Sequence, residues 1–358
     1  MILNVIKVFL PTALAFGFGM LIAPILTHYL YKYKMWKTRA GKLGLDGKET
    51  PVYNKLYEKR DVGTPRMGGI IIWLSVFIVT LGLWILARIT PFDIFDKLDF
   101  LSRSQTWIPL AVLILGALVG LLDDYMEVRG NGTYLAGGLS LKHRLFTIII
   151  VGLLVSSWFY FKLDVSTINL PFIGDFFVGG FFIPIFVAVI LALYASGVID
   201  GLDGLSGGVF GIVFSAYSVI AFFQNQIDLS AFCAVVTGGI LAFLWFNIPP
   251  ARFYMSETGS MALTATLCVV AFMTDSIGGG IGVSILPIIA FPLAITVLSN
   301  IIQIGSKKLR GGKKIFIAAP IHHHFEAIGW PHYKIVMRYW VISIIFAIIG
   351  IVLAFVGA

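Results

Sequence analysis

About ten long apolar stretches, separated by gaps too short to hold a domain, limit this chain's possible folds more than any other feature. They run over residues 3 to 31, 68 to 87, 107 to 122, 145 to 161, 181 to 199, 205 to 223, 231 to 248, 260 to 274, 281 to 304 and 339 to 357. A helix crosses the apolar part of a bilayer with ~20 residues, and these stretches match or approach that length. The longest gap, from Lys32 to Met67, falls well short of an ordinary domain of roughly 100 residues. The expected fold is therefore an all-α integral membrane domain spanning 1–358, with about ten crossings. Its chemistry must sit on helix ends and short loops. Composition agrees, since only 12% of residues are charged and 58% are hydrophobic. A soluble domain carries roughly 25% charge, so most soluble enzymes, nucleic-acid-binding domains and disordered chains are excluded. Cys233 and Cys268 lie singly in apolar stretches and read as small buried hydrophobes.

Ten crossings return both termini to one side, which lets the charges be sorted by face. Of the 26 Lys and Arg, 21 fall on the face that receives the Lys32–Met67 gap, Arg129, Lys142, Arg144, Arg252 and the stretch from Lys307 to Arg338. Only Lys7, Arg88, Lys97, Arg103 and Lys162 fall on the other. The positive-inside rule makes the first face cytoplasmic and puts both termini outside. The net charge of +8 is then a topology signal, with enough left over to attract an anionic substrate or lipid headgroup. Five acids, Asp123, Asp124, Asp200, Asp203 and Glu257, lie at three span ends on this same face. Carboxylates are costly near a bilayer, and this convergence points to a shared job.

Four motifs carry the chemistry. In Leu121-Leu122-Asp123-Asp124-Tyr125 an apolar run meets two adjacent carboxylates, which raise one another's pKa unless a cation compensates. Asp200-Gly201-Leu202-Asp203-Gly204-Leu205 combines glycines that permit close approach with acids able to hold a sugar, a base or a metal. It lacks the spacing and the distal Glu of an EF-hand. The loop from Phe246-Asn247 through Pro249-Pro250 to Tyr254 and Glu257 could stack on and hydrogen-bond a base, and Thr258-Gly259-Ser260 open a helix whose N-terminus favours phosphate. Lastly, a basic run from Lys307 precedes Ala319-Pro320-Ile321-His322-His323-His324-Phe325-Glu326. Consecutive histidines point about 100° apart on a helix, so phosphate contact suits them better than zinc.

With Gly311-Gly312-Lys313 and Gly329-Trp330, the histidine motif resembles the signature of the phospho-N-acetylmuramoyl-pentapeptide transferases. So do Thr64-Pro65, Met67-Gly68-Gly69, the Asp123-Asp124 pair, the Asp200 motif and Phe246-Asn247, over nearly the whole chain. The resemblance implies a homodimeric bacterial inner-membrane enzyme with its active site at the cytoplasmic face. It would use Mg²⁺ to transfer phospho-MurNAc-pentapeptide from UDP-MurNAc-pentapeptide to undecaprenyl phosphate, forming lipid I and UMP. It further implies that Asp123 and Asp124 activate the lipid phosphate or bind the metal, with Glu257 standing where the family has a metal-binding Asp. Asp203, Asn247 and Tyr254 would hold the uracil. Asp200, His322, His323 and His324 would line the phosphate and sugar region, with Gly201 and Arg144 contacting substrate. Pro287 and Pro292 should kink or break the ninth span and open an apolar groove for the polyprenyl tail.

Several family positions differ. Gly-Asp-Thr-Gly-Ser reads Ser256-Glu257-Thr258-Gly259-Ser260. Glu127 and Arg144 replace lysines, Tyr194 and Gly197 replace asparagines, and Asp61 and Val62 replace basic residues. These changes keep open a related UDP-N-acetylhexosamine transferase and a catalytically weak lipid-binding homologue. A transporter fits less well, because the acids lie at span ends rather than the midplane and no inverted repeat is visible.

Overall fold

The computed structural model describes residues 1–37, 62–130 and 138–357. Asp61 lies outside the described residues. The apolar stretches form α1 (Ile2–Lys32), α2 (Ile70–Ile89), α4 (Trp107–Arg129), α5 (Leu141–Lys162), α6 (Phe182–Ser196), α7 (Leu205–Phe223), α8 (Ile227–Asn247), α9 (Ser256–Phe272) and α13 (His332–Val356), with a short α3 (Asp93–Leu98) after α2. Among the described residues, nine helices are long and apolar enough to cross a membrane, those of α6 and α9 counted with the turns that extend them. The ninth stretch of the sequence is instead two helices, α10 (Leu286–Ile289) and α11 (Phe291–Leu309), joined at Ala290. Pro287 and Pro292 sit in their first turns, where a missing N–H is tolerated. A seven-residue α12 (Ile321–Ala327) carries the histidines.

One element departs from an all-helical chain. Between α5 and α6, β1 (Thr167–Leu170) pairs antiparallel with β2 (Gly174–Phe177), Thr167 opposite Phe177 and Leu170 opposite Gly174. The connection is too short for another helix, and Phe172 and Gly174, both at positive φ, make its turn.

Layering follows polarity. α7, α8 and α9 are mostly buried, whereas α1, α5 and α13 expose apolar side chains along much of their length. α1 packs along α8, α4 along α9, and α13 along α7. Apolar burial gives little drive between helices inside lipid, so close backbone approach through small residues matters more. The α4–α9 contact shows it: a Cβ at Gly116 would lie 2.9 Å from Ala262 Cα, and one at Gly120 would lie 2.2 Å from the Glu257 carbonyl. Gly69 is equally tight, 2.3 Å from the Gly259 nitrogen. These glycines seat the start of α9 between α4 and the Met67-Gly68-Gly69 turn, which positions the site.

Candidate active site

Asp124 lies one helical turn beyond Gly120, so the same close packing delivers its carboxylate to the N-terminus of α9. There Oδ2 accepts the Thr258 N–H at 2.9 Å and the Thr258 hydroxyl at 2.6 Å, while Oδ1 accepts the Glu257 N–H at 3.3 Å. A carboxylate from one helix thus satisfies donors that the first turn of another leaves open. Arg66 Nε approaches Oδ1 at 3.4 Å, and Asp124 is fully buried. Asp123 faces a different side. Its Oδ1 accepts the Leu139 N–H at 2.5 Å and its Oδ2 lies 3.4 Å from Arg144 Nη1.

Arg144 also pairs with Glu257, Nη1 to Oε1 at 2.7 Å, and so bridges two acids from different helices. Its Nε is buried with no partner among the described residues. Tyr194 lies beside Arg144 and Glu257. Three positions that differ from the family pattern, Arg144, Tyr194 and Glu257, therefore touch as one group. A fourth, Glu127, is paired too: Oε1 meets Lys37 Nζ at 2.7 Å and Oε2 meets Arg66 Nη2 at 2.8 Å. Burial disfavours the Arg66 charge, but Glu127 and Asp124 outweigh it and raise its pKa well above the ordinary value.

The Asp200 loop joins this cluster to the histidines. Asp200 Oδ1 accepts the Ser206 hydroxyl at 2.6 Å, and Oδ2 accepts the Ser256 N–H at 2.9 Å, next to Glu257. Ser256 sits at φ 58, a left-handed conformation that glycine adopts without penalty, and glycine is the residue the family pattern has there. Asp203 Oδ2 accepts the Ala251 N–H at 3.2 Å. Asn247 Oδ1 accepts from Gly204 N–H and Nδ2 donates to the Phe253 carbonyl, each at 2.9 Å, which ties two loops together. Tyr254 is fixed through its backbone: its N–H bonds the Pro65 carbonyl and its carbonyl accepts from Gly68, both at 2.8 Å.

On α12, His322 and His323 pack ring against ring at 4.2 Å and aim Nε2 atoms at Gly201, where a Cβ would lie 2.4 and 2.9 Å away. His324 turns to another surface, its Nδ1 accepting the Ile317 N–H at 3.3 Å and its ring meeting Phe316. Glu326 Oε2 is 2.6 Å from His323 Nδ1, and Oε1 contacts His332 Nε2. Burial pushes the Glu326 carboxyl up, but the hydrogen bonds and charge of His323 and His332 prevail and hold it down at about 2.

Asp123, Asp124 and Glu127 each offer a ligand oxygen, and these atoms lie within 4.8 Å of one another. An all-carboxylate donor set suits a hard cation such as Mg²⁺. Glu257 stands outside that group, with Arg144 on its Oε1. Reading the sequence did not assign Arg66, Thr258, Glu326 or His332 to the site. Arg66 adjoins the Met67-Gly68-Gly69 motif, Thr258 opens the Thr258-Gly259-Ser260 helix start and Glu326 ends the histidine motif, so three of the four carried a signal.

A family model described as glycosyl transferase family 4 matches residues 106–275. The phospho-N-acetylmuramoyl-pentapeptide-transferase of Listeria monocytogenes serovar 1/2a is 33% identical over 299 residues, covering 83% of this chain and 86% of the relative. The protein of that name from Chloroflexus aurantiacus is 33% identical over 82% of this chain and 78% of its own length. The one from Chloroflexus aggregans is 30% identical over 98% of this chain and 90% of its own length.

Proposed function

This chain belongs to the phospho-N-acetylmuramoyl-pentapeptide transferase family of peptidoglycan synthesis, and from that premise we propose that it transfers phospho-MurNAc-pentapeptide from its UDP carrier to undecaprenyl phosphate, giving lipid I and UMP. It is a bacterial membrane protein and a phospho-sugar transferase. α10 and α11 together serve as the tenth crossing, both termini lie outside, and the site faces the cytoplasm, as the Lys/Arg bias supports. The gap at Ala290 lets the lipid tail approach the site from the bilayer. The enzyme works as a homodimer and folds as one domain.

The observation that carries this reading is the convergence of Asp123, Asp124, Glu257 and Asp200 on the first turn of α9, with Arg144 among them. An oxygen of the lipid phosphate attacks the sugar-bearing phosphorus. The bond from that phosphorus to the bridging oxygen breaks, and the oxygen leaves on UMP. Both reactants are anions, so positioning and charge stabilisation do most of the work. Asp123, Asp124 and Glu127 would hold Mg²⁺, whose charge would screen the lipid phosphate from the pyrophosphate and stabilise charge moving onto UMP. Arg144 turns its unpartnered Nε to a phosphate oxygen, and Glu257 steadies Arg144. Asp124 fixes the α9 N-terminus against which the pyrophosphate lies. Asp203, Asn247 and Tyr254 frame the uracil pocket, and Gly201 leaves room for His322 and His323 beside the sugar phosphate, with His324 at the edge of that region.

The test is UMP release by the purified enzyme with undecaprenyl phosphate, with and without Mg²⁺. UDP-MurNAc-pentapeptide is expected to support turnover and UDP-GlcNAc is not. Turnover with UDP-GlcNAc alone would transfer the assignment to the sister N-acetylhexosamine transferases.

A further inference from the structure

The β1–β2 hairpin sits at the end of α9 remote from the active site, and its outward surface is apolar where a water-facing loop would be polar. We propose that this hairpin is an interfacial anchor whose partner is phospholipid, with Phe172, Ile173, Phe176 and Phe177 immersed among the headgroups and upper acyl chains of the leaflet opposite the active site. The inference needs only that the long helices cross a bilayer, and it stands whichever sugar donor the enzyme takes.

Composition gives the first sign. A hairpin turn in water draws on Asn, Asp, Ser and Gly, whereas this one reads Leu170-Pro171-Phe172-Ile173-Gly174. Phe172, Ile173, Phe176, Phe177 and Phe181 are each 55–75% exposed. All of β2 is exposed while Ile168 and Asn169 of β1 are buried, so β1 packs on the protein and β2 faces out. A contiguous apolar patch of this kind marks an interaction surface. Depth gives the second sign. No charged residue follows Arg338 on α13, and the nineteen steps from there to Gly357 rise about 28 Å, close to the ~30 Å of a hydrocarbon core. With Arg338 at one boundary, the Gly357 carbonyl lies at the other, and there it accepts the Phe172 N–H at 2.9 Å. The turn is thereby held level with the end of the hydrocarbon. α5 gives the same level, since the eighteen steps from Arg144 to Lys162 rise about 27 Å and β1 begins five residues later. The third sign is where the backbone groups go. The outer edge of β1 is covered at the end of α9, where Asp275 accepts the Asn169 N–H at 3.1 Å and the Ser284 hydroxyl donates to the Asn169 carbonyl. The outer edge of β2 has no partner among the described residues. Bare N–H and C=O groups cannot lie in hydrocarbon, but headgroups and their water satisfy them, so the strand belongs at the interface with its side chains in the acyl chains. The patch also continues the lipid-facing surface, because Phe161 near the end of α5 and Phe355 and Val356 at the end of α13 are exposed beside it. Between residues 163 and 181 only Asp164 and Asp175 are charged, which leaves little for a polar protein partner to pair with. Through Asn169 and Asp275 the anchor holds the far end of α9 at a fixed depth, and the active site lies at the other end of that helix.

The experiment uses the full-length enzyme in phospholipid nanodiscs, spin-labelled at single cysteines introduced as Phe172→Cys, Ile173→Cys, Phe176→Cys or Phe177→Cys. Arg103→Cys, at an exposed position on the same side of the membrane, is the water reference. Cys233 and Cys268 are fully buried, so the wild type measures background labelling. Collision with oxygen, which concentrates in acyl chains, and with a soluble nickel chelate reads the surroundings of each label. The hairpin labels are expected to favour oxygen over nickel several-fold more than Arg103→Cys does, at a depth of about 5–10 Å into the headgroup and acyl boundary. Labels that favour nickel as the reference does would show a hairpin in water. Immobilised labels that neither reagent reaches would show a protein partner or a second copy of the chain. Either result overturns the proposal. A second readout needs no variant to fold. A phospholipid with a photoactivatable diazirine near the headgroup end of its acyl chain, built into nanodiscs with the wild-type chain, should mark the peptide 163–181 on irradiation. Marking of α13 with none on that peptide would overturn the proposal as well.

Discussion

α9 carries buried polar clusters at both ends, about 27 Å apart along the helix, and they are built on opposite principles. At the first turn, charges of both signs meet: Asp123, Asp124, Glu127 and Glu257 against Arg66, Arg144 and Lys37. At the far end, where the helix widens over Met273–Ile277, the groups are mainly neutral and turned to the backbone. Gln224 donates to the Thr274 carbonyl, Gln226 to Met273, Asn169 to Gly280 and Tyr217 to Gly282. The buried carboxylate there, Asp275, accepts backbone N–H groups from Asn169 and Val283 at 3.1 and 3.2 Å. No basic side chain pairs with it among the described residues. The contrast separates two uses of buried polarity. Amides and a buried acid that satisfy backbone groups hold a loop in place. A surplus of charges that satisfy one another can exchange partners when a charged substrate arrives, and so can do chemistry.

Four changes would break or sharpen that contrast. The largest effect is expected from Asp123→Asn, which should lower kcat for UMP release about 100- to 1000-fold while the thermal midpoint barely moves. Asp124→Ala should combine lost activity with a loss of about 1–3 kcal/mol of stability, since it removes the acceptor for the α9 N-terminus and leaves Arg66 short of a partner. Denaturation of both variants separates the two roles, and equal midpoints would show that Asp124 is no brace. At the far end, Asp275→Ala should cost a similar 1–3 kcal/mol by orphaning two backbone donors, with kcat and KM within about twofold of wild type. A large kcat loss there, at unchanged stability, would erase the distinction between the ends. The smallest effect is Ser256→Gly, which should raise stability by about 1 kcal/mol by relieving a left-handed serine whose hydroxyl is buried without a partner among the described residues.

Much of the site was legible in advance because acids and glycines at span ends have few bland explanations. Asp123, Asp200 and Glu257 were found from their places in the chain, and the structure gathers them around one helix start. The division of labour was not legible. Asp123 and Asp124 are neighbours that look equivalent, yet helix geometry turns one toward Arg144 and the other onto Thr258. Three consecutive histidines look alike as well, and only two reach Gly201. Glu127, read as a departure where a lysine belongs, is balanced by Lys37 and Arg66 from a separate segment.

The sequence alone determined that this chain lives in a bilayer and carries its charge at helix ends, because lipid penalises exposed polarity wherever it occurs along a span. It determined the family as well, through motifs spread over the chain. Only the tertiary structure decided which carboxylate braces, which meets an arginine and which pairs with a histidine. Those roles depend on how closely α4 approaches α9 through Gly116 and Gly120, and on the turn that brings His332 to Glu326. Both are distances between elements, set by packing, and no local pattern of residues encodes them.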